Sequence, residues 1–318
     1  MNGVPPIVIA HRGASGYMPE HSIGAKILAH GYAADYLEQD VIITRDNVPV
    51  VFHDLHLDEL TDVATVFPGR SRSDGRHYVI DFTLDELRRL QLHERIDLES
   101  GKAYWPQRFN ERAIRFSIVT LDEELALIRG LNFATRRHAG IYTEIKSPGW
   151  HREQGKDSTH IILECLKKHG YAKATDLVYL QCFDDLELVR IHDELGSELK
   201  LIQLIGENHW NESGTDYNQL RTAHGLKEIS RYAQGIGPPI DRIAYWTDQT
   251  QRAHITDLTA SAHSLGLAVH PYTARLDQLP NQCPSWHELH NALFFEAAVD
   301  GLFSDFPDLT KTFVNSNF

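Results

Sequence analysis

The sequence predicts an α/β chain folded as a TIM (β/α)8 barrel with a small insertion after strand three. Three observations carry this expectation. Apolar runs of strand length recur along the chain, helical patterns with start and stop signals fall between them, and many of the runs end in polar residues. Fully buried parallel strands read as continuous apolar runs rather than as an alternation. A doubly wound open sheet is the architectural alternative. A single domain spanning 1–318 is expected, since barrels commonly reach this length as one unit.

In chain order the expected strands are "IVIAHR" (7–12), "YLEQDVII" (36–43), "VPVVFHD" (48–54), "IYTEIK" (141–146), "VYLQCFD" (178–184), "LKLIQLIG" (199–206), "LAVHPYT" (267–273) and "GLFSDFP" (301–307). "DRIAYW" (241–246) is a ninth, weaker candidate. Thr83-Leu84-Asp85-Glu86 and Thr120-Leu121-Asp122-Glu123 both have the spacing of a capping box, which marks a helix start. "STHIILECLKKHG" offers Ser158 as N-cap, Lys167 and Lys168 in the last turn, and Gly170 beyond it. "DLELVRIHDELG" stops at Gly196 in the same way.

Two intervals depart from strand–helix alternation. Only eight residues separate Asp40 from Pro49, too few for a helix. Fully extended they reach roughly 28 Å, enough to run back along a strand about 20 Å long. An extended return with a turn near Asp46-Asn47 keeps Asp40 and His53 at the same end of the barrel. The interval from Leu55 to Phe116 is too long for an ordinary connection and is expected to form a small cap at about 55–116, in which Tyr78, Phe82 and Trp105 select small ligands over long-chain ones. The polar stretch from Glu207 to Asp216 is a second loop at a strand end.

Composition narrows the function. The chain carries 31 basic and 44 acidic residues, a formal charge of −13, which argues against nucleic acid and anionic membrane as partners. No protein partner is implied. Cys165, Cys182 and Cys283 are an odd, scattered set, with no disulfide framework or zinc knuckle. "MNGVPPIVIA" lacks the basic and apolar regions of a signal peptide, and no apolar run approaches the ~18 residues of a membrane span. The expectation is a soluble protein, cytoplasmic as the chain stands and periplasmic if it is a processed mature form.

Residues at the C-terminal ends of barrel strands meet around one mouth. Strand one brings His11 and Arg12, strand two Glu38 and Asp40, strand three His53 and Asp54, strand four Glu144 and Lys146, strand five Gln181, and the last strand Asp305. Glu38 and Asp40, two apart, leave the same strand face, as do Glu144 and Lys146. Buried carboxylates need positive charge opposite them. Glu38, Asp40 and Glu144 supply oxygen donors suited to Mg2+ or Ca2+, while internal ion pairs to Arg12 and Lys146, or a proton-transfer pair, are the alternatives. Two histidines beside such a cluster can act as acid and base, and Arg12 and Lys146 can hold a phosphate.

The segments "AHRGASGYMPEHS", "YLEQDVIITRDNVPVVFHD", "YTEIKSP", "YLQCFD", "VHPYT" and "GLFSDFPD" occur in an order that resembles the glycerophosphodiester phosphodiesterase family, in its longer bacterial, often periplasmic branch. The likeness runs from Ile7 to about Asp308 and implies a TIM barrel with an insertion after strand three. By this resemblance His11 and His53 are the general acid/base pair, Glu38, Asp40 and Glu144 ligate one divalent cation, Ca2+ or Mg2+, and Arg12 and Lys146 bind the phosphate. Glu20 matches a "PEN"-type segment, with His21 where Asn is frequent. Glu20, Gln181, Tyr272 and Asp305 are assigned to pocket lining. The implied reaction is hydrolysis of glycerophosphodiesters, such as glycerophosphocholine or glycerophosphoethanolamine, to sn-glycerol 3-phosphate and an alcohol. Rival expectations are a sphingomyelinase D-like lyase releasing a cyclic phosphate, a barrel aldolase using Lys146 as a Schiff base, and a non-catalytic phosphoester-binding protein.

Overall fold

A computed structural model describes residues 5–111, 113–247 and 252–318. Residues 1–4, the start of the segment read for a signal peptide, lie outside them. The strands are β1 (Ile7–Ala10), β2 (Tyr36–Ile43), β3 (Pro49–Val51), β4 (Gly140–Ile145), β5 (Val178–Cys182), β6 (Lys200–Leu204), β7 (Gly235–Gly237), β8 (Ala244–Trp246), β9 (Ala253–Ile255), β10 (Ala268–Val269) and β11 (Gly301–Ser304). Eight of them pair in parallel in the order β10-β7-β6-β5-β4-β2-β1-β11. The sheet then closes on itself: the Asp300 and Phe303 amides donate to the carbonyls of Val269 and Pro271, both at 3.0 Å. Helices cover the outside, and the shared layer is aliphatic, with Val8, Leu37, Val41, Ile141, Leu180 and Leu201 facing outward. This is the TIM barrel the sequence predicts.

Two strand assignments change. β3 is not a barrel strand. It runs antiparallel to β2, with Val41 opposite Val51 and Ile43 opposite Pro49, so the expected extended return is β3 itself. The Phe52 amide donates to the Asp40 carbonyl at 2.9 Å, which returns the chain to the rim next to Asp40 before His53. The eighth barrel strand is instead Gly235-Ile236-Gly237, too short and glycine-rich to show as an apolar run. Its glycines are needed sterically. A Cβ on Gly235 would lie 2.7 Å from the Ala268 carbonyl oxygen and 2.8 Å from Ile202 Cδ1. The weaker candidate at 241–246 contributes β8, which pairs antiparallel with β9 outside the barrel.

Both capping boxes form, at Thr83/Glu86 and Thr120/Glu123. The helix Ser158–Lys168 is capped one residue earlier than expected, by Asp157, whose carboxylate accepts from the His160 amide at 3.1 Å. Gly170 and Gly196 take the left-handed conformations that end helices, φ 90° and 60°.

Residues between β3 and the helix Leu121–Thr135 build a second small core from Leu57, Leu60, Val63, Phe82, Leu87 and Leu90. Ile42 and Val50 of the β2–β3 hairpin pack into it, which anchors the insertion above the rim. Phe82 is fully buried there, and Tyr78 stacks on Trp150 at 5.6 Å. Both serve the packing of the insertion rather than a ligand. Among the described residues no helix is long and apolar enough to cross a membrane.

Candidate active site

Strand alternation sorts the barrel interior into levels. Glu38 is in register with Tyr142 and, through it, with Tyr179; one pleat further on, Asp40 is in register with Glu144 and Gln181. The lower level is aromatic apart from Glu38, whose carboxylate accepts from the Arg12 amide and so belongs with the groups of the mouth. The upper one opens into a cavity of about 490 Å³ at the C-terminal mouth. His11, Arg12, Glu38, Asp40, His53, Glu144 and Lys146 all line it, so residues expected at four strand ends share one space.

The two histidines are held alike. His11 Nδ1 donates to Asp305 Oδ1 at 2.6 Å, and His53 Nδ1 donates to Asp54 Oδ1. Each aspartate thereby fixes the tautomer that leaves Nε2 without its proton on the cavity side. Burial, then the Arg12 charge, lowers the His11 pKa to about 4 and also depresses that of His53. Lys146 Nζ donates to His53 Nε2 at 3.3 Å.

Arg12 sits at φ 56°, a left-handed turn that swings it in from the end of β1. Its amide donates to Glu38 Oε2, its Nη1 donates to Glu20 Oε1 at 2.7 Å, and its Nε lies 3.5 Å from Asp40. Lys146 pairs with Glu144 at 2.8 Å. Burial works against both cations, but Glu20 and Asp40 hold Arg12 protonated, and Glu144 and Asp40 hold Lys146 well above its ordinary value.

Glu38, Asp40 and Glu144 are each no more than 6% exposed. Burial, then the neighbouring Asp40 charge, pushes Glu38 up. Glu144 is pushed up by burial and by Asp40, against the pull of Lys146. Asp40 Oδ1 is buried with no hydrogen-bond partner among the described residues. Three crowded carboxylates with an orphaned oxygen fit a hard divalent cation better than a closed set of ion pairs. The cluster has a member the sequence reading left aside. His21, also left-handed at φ 57°, donates from Nε2 to Asp40 Oδ2 at 2.8 Å, and lies close to Glu38 as well. Its departure from the "PEN" pattern was the available signal.

Of the four residues assigned to pocket lining, Gln181 and Tyr272 line the cavity. Glu20 and Asp305 stand behind its wall instead, because both are taken up by arginines. Arg95 donates to Asp54 at 2.6 Å and to Glu20 at 3.0 Å. Arg108 donates to Asp305 Oδ2 at 2.8 Å and grips Asp277 with Nε and Nη2. Both arginines come from the insertion, so the aspartate behind each histidine is braced from the same segment. Trp105 bonds Gln278 at 3.2 Å at the edge of the cavity.

Residues 11–309 match the model of the glycerophosphoryl diester phosphodiesterase family. A glycerophosphodiester phosphodiesterase of Haemophilus influenzae is 41% identical, over 97% of this chain and 89% of the relative. One of Treponema pallidum is 36% identical, over 97% and 91%. Among solved structures, an Oleispira antarctica phosphodiesterase in complex with the product sn-glycerol-3-phosphate superimposes with a TM-score of 0.63 at 19% identity, covering 98% of this chain and 97% of its own. A glycerophosphodiester phosphodiesterase of Thermotoga maritima gives 0.59 at 18% identity, covering 98% and 99%. From the family model across nearly the whole sequence, and from curated relatives of this identity over nearly their full lengths, the chain belongs to the glycerophosphoryl diester phosphodiesterase family.

Proposed function

We propose that the chain hydrolyses glycerophosphodiesters to sn-glycerol 3-phosphate and an alcohol. The observation that carries this reading is the pair of imidazoles facing one cavity, each oriented by an aspartate at Nδ1, beside three buried carboxylates. A site for binding alone has no use for a matched acid and base. The names of the curated relatives support the same substrate class.

In this reading Arg12 and Lys146 hold the phosphate, Arg12 as a planar fork and Lys146 as a point charge. One of His11 and His53 takes the proton of the attacking nucleophile at its bare Nε2; the other enters as the imidazolium, having taken a proton from solvent at Nε2 beside the anionic phosphodiester, and gives that proton to the departing alkoxide. Glu38, Asp40 and Glu144 would hold one divalent cation, Ca2+ or Mg2+, with Asp40 oriented by His21. When bound, the ion supplies positive charge at the phosphoryl oxygens as negative charge builds there. The segment 55–116 acts on this site as a cap that positions its two aspartates. A Schiff-base role for Lys146 is disfavoured, because Glu144 and Asp40 hold its amine protonated.

A coupled assay for glycerol 3-phosphate, run on several diesters with metal stripped and restored, tests the proposal. Release of glycerol 3-phosphate that EDTA abolishes and a divalent cation restores is expected. Metal-insensitive turnover, or a cyclic phosphate as the end product in phosphorus NMR, overturns it.

A further inference from the structure

Resting on the proposed reaction, we infer that the outer wall of the cavity selects diesters whose alcohol half carries an ammonium group, of the choline or ethanolamine class. Glu212 and Asp241 line the same cavity as the histidines, and neither closes an ion pair or accepts a hydrogen bond among the described residues. The cations that share the wall are already matched: Arg12 with Glu20 at 2.7 Å, Lys146 with Glu144 at 2.8 Å, and Arg275 with Asp305 at 3.0 Å. Glu207 shows what an ordinary carboxylate on the same loop does. It takes Arg221 and Arg242, both at 2.6 Å. Five residues on, Glu212 takes neither.

The wall around these carboxylates is aromatic. Phe183 and Tyr272 meet edge to face with centroids 6.1 Å apart. Trp210 and Phe183 both close over Gly206, where a Cβ would lie 3.2 Å from Trp210 Cε3 and 3.3 Å from Phe183 Cε1. Trp210 remains 41% exposed at the cavity edge, where a large ring gains little unless something covers it. Gln181 Oε1, on a residue 1% exposed, is an acceptor lining the cavity with no donor of its own among the described residues. Aromatic faces, free carboxylates and an unused acceptor together suit an ammonium ion, which ring quadrupoles and carboxylates both attract. Glu212 lies within electrostatic reach of Lys146 and of the Tyr272 hydroxyl, so the acidic wall begins next to the phosphate-holding lysine. A phosphodiester carrying an ammonium alcohol presents its two charges in that same adjacency.

Specificity is a difference between substrates, so the test is a ratio. The value of kcat/KM for glycerophosphocholine and for glycerophosphoethanolamine is divided by that for glycerophosphoglycerol, whose alcohol is neutral. Glu212→Gln and Asp241→Asn are each expected to lower the ratio about threefold, and the double variant about tenfold, as partly exposed ion pairs and cation–π contacts allow. Trp210→Ala is expected to lower the choline ratio more than the ethanolamine ratio. An unchanged ratio, or a parallel fall on all three diesters, overturns the inference, since it would place these carboxylates on the glycerol half or in the fold. Failure of the unsubstituted enzyme to release glycerol 3-phosphate from any of the three diesters would instead remove the proposed reaction, and this inference with it.

Discussion

The two halves of the barrel interior are built on the same strands and differ by one pleat. In the lower half Tyr142 packs on Tyr179 and Phe303 with centroids 5.0 and 4.9 Å away, and its hydroxyl bonds His270 Nδ1 at 2.9 Å. His270 is kept neutral by burial, which lowers its pKa to about 4. In the upper half, Glu38, Asp40, Glu144, Lys146 and Arg12 are as deeply buried or nearly so, yet charge is matched against charge. Packing holds the floor together, and electrostatics arranges the rim.

If that division is real, substitutions in the two halves should fail in different ways. The largest effect is expected from the rim. His11→Ala and His53→Ala should each lower kcat about 10²–10⁴-fold in steady-state assays, with a thermal midpoint close to that of the parent. A large loss of stability in either variant would erase the contrast between the halves.

The rim was the more legible half in the sequence. Glu38/Asp40 and Glu144/Lys146 stand two apart on apolar strands, and that spacing alone places each pair on one inward face. His11 and Arg12 end a four-residue apolar run, so their level was readable too. What was not legible has physical reasons. β7 has three residues, two of them glycines, and is a strand because its neighbours leave room for nothing larger. β3 looked like a barrel strand because its apolar side chains pack just as well into the insertion as they would into a barrel. Arg95 and Arg108 lie on irregular backbone, and the aspartate that Arg108 braces is 197 residues away, so no local pattern announces the pair.

The floor supplies the next test. Tyr142→Ala removes a ring that touches three aromatic neighbours and should cost about 3–5 kcal/mol in denaturant unfolding. Tyr142→Phe, which loses the bond to His270, should cost about 1 kcal/mol. Molecules of the Phe variant that remain folded should turn over at nearly the parent rate. If Tyr142→Phe instead cuts kcat tenfold with stability intact, the floor belongs to the chemistry and the division fails.

Smaller in expected size than the losses at His11, His53 or the Tyr142 ring are those at the insertion arginines. Arg108→Met leaves Asp305 with Arg275 alone among the cations that bond it, and loosens the aspartate that orients His11. A fall of about tenfold in kcat with little change in KM is expected, as for partners that orient a reacting group from behind. Arg95→Met should act likewise through Asp54 and His53. Equal losses in kcat and in thermal midpoint, with no preference for kcat over KM, would reduce both arginines to struts of the insertion.

The smallest effect comes from a residue that extends the comparison beyond the barrel. Glu94 is 6% exposed and lies near both Arg95 and Arg108, yet its Oε2 has no hydrogen-bond partner among the described residues. Burial, then the Glu20 charge, pushes its pKa up to about 8, because Glu20 and Asp305 have already claimed the arginines. It is therefore a buried acid under the rule of the floor, kept neutral, rather than under that of the rim. An unfolded glutamate loses its proton near pH 4.3, so between there and pH 8 the folded state binds more protons than the unfolded one. Stability contributed by this residue must then fall as pH rises through that window, and level off above it. Glu94→Gln, which stays neutral throughout, should match the parent near pH 4.5 and exceed its stability by a margin that grows up to pH 8.5. Paired urea titrations at the two pH values measure the difference. A gap that does not widen with pH would mean that Glu94 is ionised in the folded protein, and that the insertion arginines neutralise it as the rim cations neutralise theirs.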